Sequence, residues 1–583
     1  MRSFDNDHGT DIAINVDGVP VNMVSHPHGQ GYSDLHYVIP ETIEKVGYGK
    51  GPYYANQGNF NTSGYVSRNT KDQIDQSSIK LEAGQFNTQR LMGMFKINGG
   101  ENSHGYIASD FLGTEGPFDS PQNFNRINLF GKYTVKVNSS DIFGVQFSHF
   151  ISKWDASGQI PKRAVDSGLI GRFGAIDDTE GGNTSRTNVV LDYKKTLDAN
   201  SFIQNKLYFA KYYFELYSNF TFFLHDPING DQIKQKEDRN LVGFQSEYAR
   251  SFAKGDFQLG VSLRNDQTND SELSPTLNRT TVLDSIQLGD ISETNLGAYA
   301  NLNFDFGYWR INPSLRVDYF DFQYNDKISP IYQTQAQNKA IISPKLNVIY
   351  HKNENMQFYL KVGKGFHSND TRVVVAQKGD QILPAAYGSD LGMIWKPYPR
   401  LLINATCWYL YMQQEFVYLG DEGVLEPSGK SQRQGLELTL RYQPLDWLYW
   451  NMDANYAHGR FVDEEPGQNY IPLALNLMLT SGLTVIHPDG YYGTLNLRYI
   501  SDRPANEDNS IVAQGYTVVD ANVGYKWKNF NVGIKILNLL NAEWNETQFA
   551  TLTQLQGETA PVDEIAFTPG TPFTITGMFE FRF

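Results

Sequence analysis

The sequence predicts an all-β protein, an antiparallel transmembrane β-barrel of about 22 strands, and three observations carry that expectation. The first is a two-sided alternation that recurs along most of the chain. In its last instance Phe573, Ile575, Gly577, Phe579, Phe581 and Phe583 share one face, and Thr574, Thr576, Met578, Glu580 and Arg582 the other. Successive strand residues point to opposite faces, so this is a strand with one greasy side. The second is composition: 35 Tyr and 36 Phe stand in a chain whose mean hydropathy is only −0.45. A barrel in lipid needs both, aromatic girdles outside and a polar lumen inside. The third is the spacing of short turns, read near Gly99, Ser139, Asp198, Lys254, Tyr308, Asn353, Tyr398, Leu445, Pro488 and Lys528. About ten turns on one rim imply about eleven hairpins.

Taken in order, the first 75 residues differ from the rest. They are rich in Gly and Asn, hold His8, His26, His28 and His36, and show no sustained alternation. A domain over 1–75 is therefore set apart from a barrel over 76–583. Within the barrel the alternation reads strand by strand. Leu436, Leu438, Leu440 and Tyr442 oppose Glu437, Thr439 and Arg441; Val519, Ala521, Val523, Tyr525 and Trp527 oppose Asp520, Asn522, Gly524 and Lys526; after a turn at Lys528 and Asn529, Phe530, Val532, Ile534 and Ile536 oppose Asn531, Gly533 and Lys535. A soluble sandwich would alternate in the same way, but a compact core rarely absorbs so many similar hairpins, whereas a closed barrel removes the edge problem at any strand number. The long polar stretches 154–185, 225–240, 267–292, 367–387 and 548–572 are expected as extracellular loops.

Several function classes are excluded. The longest near-apolar run, Leu401 to Met412, is too short for a spanning helix and contains Asn404. A net charge of −15 argues against nucleic acid, which needs a basic face. The single Cys407 rules out an intramolecular disulfide and any CxxC site. No HExxH, GxSxG or P-loop is present, the carboxylates form no defensible catalytic pair, and no cofactor motif is found. The chain reads as no enzyme. A passive porin and a surface receptor without transport remain as alternatives to an active transporter.

The residues that decide among these carry a resemblance. Arg2-Ser3-Phe4, Asp17-Gly18-Val19-Pro20-Val21, Ile43-Glu44-Lys45-Val46 with Lys50-Gly51-Pro52, and the ungapped run through Gly58 and Gly64 to Thr70-Lys71 resemble the plug domain of TonB-dependent outer-membrane receptors. They match its Arg-Gly-Phe, Asp-Gly-Val-Pro-Val, Ile-Glu-Arg-Ile, Arg-Gly-Pro and closing Thr-Lys elements. Ser3 replaces Gly, Lys45 and Lys50 replace Arg, Gly47 replaces Glu, and Gln57 replaces Tyr. In the barrel, Ser343-Pro344-Lys345-Leu346, Gly363-Lys364-Gly365-Phe366, Gln434-Gly435-Leu436-Glu437-Leu438 and Ile536-Leu537-Asn538-Leu539-Leu540-Asn541 resemble further family elements in the right order. The terminal strand ending on Phe583 is similar to the closing signal of bacterial outer-membrane proteins.

The resemblance implies a monomer in the lipid of the Gram-negative outer membrane, with a plug filling the lumen. It implies a scarce ligand, bound at the extracellular apex and imported at the expense of the TonB complex; a siderophore or other small-molecule metal chelate is the first candidate, and haem, cobalamin, a glycan or a peptide is equally compatible. The matched segment is the second half of a plug, and Met1-Arg2 opens no signal peptide. The expectation is a truncated chain or an internal start, lacking a TonB box and incapable of energised uptake. Lys45 and Lys50 match plug arginines that pair with barrel-wall carboxylates, and Glu437 is the expected partner; the alternative is two solvated lumen lysines. The segment 22–36, NMVSHPHGQGYSDLH, falls where family plugs raise an apical loop. Its Asn22, His26, His28, Asp34 and His36, joined by Arg2 for an anionic ligand, are the expected ligand contacts. His26, His28 and His36, with Asp34 and His8, can offer imidazole and carboxylate to a transition metal, although their spacing fits no strict zinc template. A purely structural loop is the alternative.

Overall fold

The structure, a computed structural model, describes all residues except 1, 3, 5–8, 332, 377–381 and 420–423. Among the described residues, 22 long antiparallel strands join into one closed barrel. The chain runs round it in order from Ser78–Gly84 to Thr574–Arg582, and the last strand pairs with the first, Arg582 opposite Ser78 and Thr576 opposite Gly84. Closure leaves the sheet no free edge, which a bilayer demands because it offers backbone groups no water to bond.

The alternation sorts by environment. Leu436, Leu438 and Val523 lie on the outer surface, while Glu437 is buried in the lumen. Each short turn expected from the sequence, from Gly99 to Lys528, falls at the junction of two consecutive barrel strands. Near this rim the rings of Trp309 and Tyr350 lie 4.7 Å apart, and those of Tyr491 and Tyr525 4.8 Å apart. Amphipathic rings settle at the boundary of membrane and water, so these pairs mark one interface.

The opposite rim departs from expectation. The stretch 267–292 is mostly strand, with Gly255–Leu277 and Gln287–Phe306 running into it, and Ile233–Phe252 takes up much of 225–240. About 9 to 11 residues suffice to cross a bilayer, so strands of 20 and 23 residues stand well clear of it. Beyond the lipid neither face needs to be apolar, and the alternation fades into a polar run that reads as loop. The wall is lower elsewhere, with 10 residues in Tyr491–Ile500 and 8 in Phe530–Leu537. The stretch 548–572 is folded too, as a hairpin of Asn545–Thr553 and Val562–Pro569.

Inside the barrel sits a four-stranded sheet of β1 (Ile12–Val16), β2 (Val19–Pro20), β3 (Ile43–Lys50) and β4 (Gly64–Thr70), in the order β2-β1-β4-β3. The β1–β2 turn is Asp17-Gly18, both with positive φ, 51° and 80°, the mirror-image turn that suits the twist of a tight hairpin. β1 and β4 run parallel, Ile12 opposite Gly64. Apolar contacts seat this sheet against several sectors of the wall. Val19 packs with Val190, Tyr208 and Leu241; Ile39 with Met92 and Tyr106; Phe4 with Trp408 and Leu410.

Candidate ligand site and plug–barrel contacts

The loop between β2 and β3 rises to the apex of the lumen, and its shape is set by Asn22. The Asn22 carboxamide accepts the Ile14 N–H at 2.7 Å and donates to the carbonyls of Gly9 and Ile12, both at 2.9 Å. Its side chain thus holds the loop in place through backbone groups of its own segment. Arg264 of the wall donates to the Asn22 carbonyl at 2.8 Å. Arg264 belongs to a buried ladder in which Asp266 also receives Arg239 at 2.8 Å, and Arg239 forks onto Glu237 with two bonds of 2.9 Å. Buried charges persist only when paired in this way.

His26 is buried against three rings. It stacks on Tyr32 at 4.4 Å with an interplanar angle of 10°, meets Phe214 edge-on at 4.7 Å, and lies 5.9 Å from Tyr212. Its Nδ1 accepts the His28 N–H at 3.1 Å, and its Nε2 lies 3.9 Å from the Glu237 carboxylate. His28 is half-buried, with Nδ1 2.8 Å from the Gln235 side-chain Oε1 and its ring edge-on to Tyr32 at 5.7 Å. His26, His28, Tyr32, Tyr212 and Phe214 therefore form one aromatic and imidazole cluster, three rings from the plug and two from the wall.

His36 stands apart from that arrangement. It is 61% exposed and bound to Asp34, whose Oδ1 meets both its N–H and its Nδ1 at 2.8 Å. Among the described residues no three His, Cys, Asp or Glu side chains converge on a point where a metal would sit. The metal site expected from His26, His28 and His36 is not formed, because local hydrogen bonds fix Asp34 and His36 while His26 is enclosed by rings. His8 lies outside the described residues.

Arg2 likewise does not reach the apex. It is 1% exposed and ion-paired with Asp390 of the wall, with Tyr53 bridging by donating to Asp390 Oδ1 at 2.6 Å. Trp408 lies beneath the guanidinium at 5.3 Å. Burial alone would lower the Arg2 pKa, but the Asp390 carboxylate, Tyr53 and the Glu437 carboxylate together outweigh it and the guanidinium is held above its ordinary value. Beside it Lys50 meets Glu437 at 3.0 Å. Lys45 is exposed and makes no ion pair among the described residues.

A second tie between plug and wall has no counterpart in the sequence reading. Glu41 accepts Arg90 through both carboxylate oxygens, at 2.8 and 2.7 Å, and Lys80 at 3.0 Å. Burial would raise the Glu41 carboxyl, but the Arg90 hydrogen bonds and charge, joined by Lys80, hold it down at about 2. A glutamate in a short polar helix carries no sequence signal, and Arg90 becomes its partner only through barrel register. Tyr212 and Phe214 were equally hidden, as two inward rings among many on alternating strands.

Comparison with known proteins agrees with this architecture. The family model described as TonB dependent receptor-like, beta-barrel, matches residues 129–539, well over half of the chain. Among solved structures, the ferric citrate transporter FecA in its unliganded form aligns with a TM-score of 0.84 at 15% identity, over 100% of this chain and 90% of its own. The ferric yersiniabactin uptake receptor FyuA from Yersinia pestis aligns with 0.77 at 14%, over 98% and 89%. The copper transporter OprC gives 0.77 at 14%, over 98% and 90%. At such identities the likeness is one of fold. The family match, the closed barrel and the sheet inside it together place this chain among the TonB-dependent receptors, transporters of the outer membrane and not enzymes.

Proposed function

We propose that the protein imports a metal chelate, taken from outside by the cluster of His28, Tyr32 and Phe214 at the plug apex. The observation that carries this reading is the composition of the cluster, in which plug and wall each contribute rings beside the paired charges of Glu237 and Arg239. Aromatic faces and imidazole suit a compact chelate with delocalised or anionic donor groups, and a site shared by plug and wall lets occupancy alter the contact between them. Ferric citrate, ferric yersiniabactin and copper are the cargoes named for three proteins of the same fold. Import proceeds by energy from TonB, with residues 1–75 working as the plug and 76–583 as the barrel. A closed barrel has no edge to share, which supports a monomer.

The test is uptake of radiolabelled ferric citrate, a ferric catecholate, a ferric hydroxamate and copper by cells expressing the protein from its native gene, upstream sequence included, with and without TonB. One of these should accumulate only when TonB is present, and His28→Ala with Tyr32→Ala should weaken its binding at least tenfold, about 1.4 kcal/mol. Uptake that ignores TonB would indicate a passive pore. Accumulation of none would remove the chelate reading.

A further inference from the structure

The wall strand Met356–Phe366 ends at the long-loop rim, but the chain beyond it does not continue outward. It turns into the lumen, where His367, Ser368, Asn369 and Thr371 are all buried, and forms the short helix Thr371–Ala376 against the plug apex. This segment has two unlike faces. On its wall side Val374 packs with Phe320, Phe322 and Phe366, and Val375 with Ile291 and Tyr324. Its plug side is polar. The Ser368 N–H donates to Asn59 at 2.7 Å, and the Gln30 amide donates to the Ser368 carbonyl at 2.8 Å. The Thr371 N–H donates to the Ser25 hydroxyl at 2.9 Å, and Arg372 donates to the His26 carbonyl at 3.1 Å.

The hydroxyls of Ser25 and Thr371 lie 3.0 Å apart and each lies 3.2 Å from one oxygen of Glu293 in the wall. Plug, inward segment and barrel meet at that carboxylate. Immediately below it lies a cavity of about 830 Å³, lined at one end by Asn22, Val24 and Glu293 and, towards the short-turn rim, by Lys194, Gln204 and Thr134. Apolar packing is non-directional and tolerates sliding, whereas the hydrogen bonds to Ser25, Gln30 and Asn59 hold only at one distance.

We propose that residues 367–376 are a latch across the lumen, with the Ser25, Thr371 and Glu293 node as its catch, and that withdrawing it joins the outer vestibule to the cavity beneath. A hydrophilic solute then passes along the wall beside the plug. The inference requires the barrel and its plug but not the identity of the ligand, so it stands or falls separately from the chelate reading.

The experiment is ion current through the full chain in planar lipid bilayers in potassium chloride, with heat-modifiable gel migration confirming a folded barrel. Thr371→Val combined with Ser368→Ala should raise the mean current at least fivefold over the unaltered protein. Ser25→Cys with Thr371→Cys, in a Cys407→Ser background, should close the current when oxidised and restore it on reduction. Should the first variant fail to fold, the redox pair decides alone. Equal currents in the oxidised and reduced pair, or in the folded latch variant and the unaltered protein, would overturn the proposal.

Discussion

Single residues fix where the plug sits. Arg2 is enclosed, so removing its counter-charge leaves a cation in a place that water does not reach. Asp390→Ala should cost about 3 to 5 kcal/mol, seen as faster proteolysis of the plug. Lys50 is 30% exposed, and Lys50→Ala should cost only about 1 kcal/mol. Glu41 gives the plug a pH dependence. Its folded pKa of about 2 lies below its ordinary 4.5, so the stabilisation is complete above about pH 4.5 and is lost as pH falls towards 2. The contribution is at most about 3 kcal/mol. Pepsin cleavage of the plug should accelerate across that window, and Glu41→Gln should flatten the difference; an unchanged profile in the variant would assign the effect to other carboxylates. At this scale the sequence reading reached as far as motifs extend. Lys50 and Glu437 stand together, as the motifs imply, whereas the Arg2 pairing with Asp390 is not legible, because no sequence shows how deep in the lumen a residue lies. Lys45, exposed on β3, has no such partner among the described residues.

Among elements, the strand is the unit whose fate alternation decides. Lys or Arg at Val523 or Leu438 should destabilise the barrel by roughly 2 to 4 kcal/mol if the site lies near the bilayer midplane, while the same change at Asn522 or Thr439, which face the lumen, should be mild. Urea unfolding in lipid vesicles measures the contrast, and equal tolerance on both faces would contradict the orientation. Hairpins were readable because lipid enforces their pattern, and turns because Gly, Pro, Asn and Asp punctuate them. Above the membrane that constraint is gone, so the tall strands from 233 to 306 passed for loops. The segment 367–376 likewise reads as outer loop, because only tertiary contacts turn it inward.

For the whole molecule, the seam between Ser78–Gly84 and Thr574–Arg582 governs closure. Deleting residues 574–583 should abolish the heat-modifiable barrel in outer-membrane extracts altogether, since loss of one strand exposes two edges and not one. A folded, shifted band from that truncation would show that another pairing can close the sheet.

The same seam sets a schedule for biogenesis. The two strands that must meet are the first and last of the barrel to be synthesised, so although Thr88–Asn98 covers one side of Ser78–Gly84 early, no intermediate length of chain supplies a partner for its other edge. Until Phe583 has been made and delivered, the earliest barrel strand is an adhesive edge awaiting the tail, and contacts so distant along the chain form slowly. Any machinery that delivers this protein must therefore keep nearly the entire polypeptide unassembled in transit and release it only when the carboxyl-terminal strand arrives. That last strand thus serves as a signal of completeness, and a polypeptide broken off early would be left for proteases to clear.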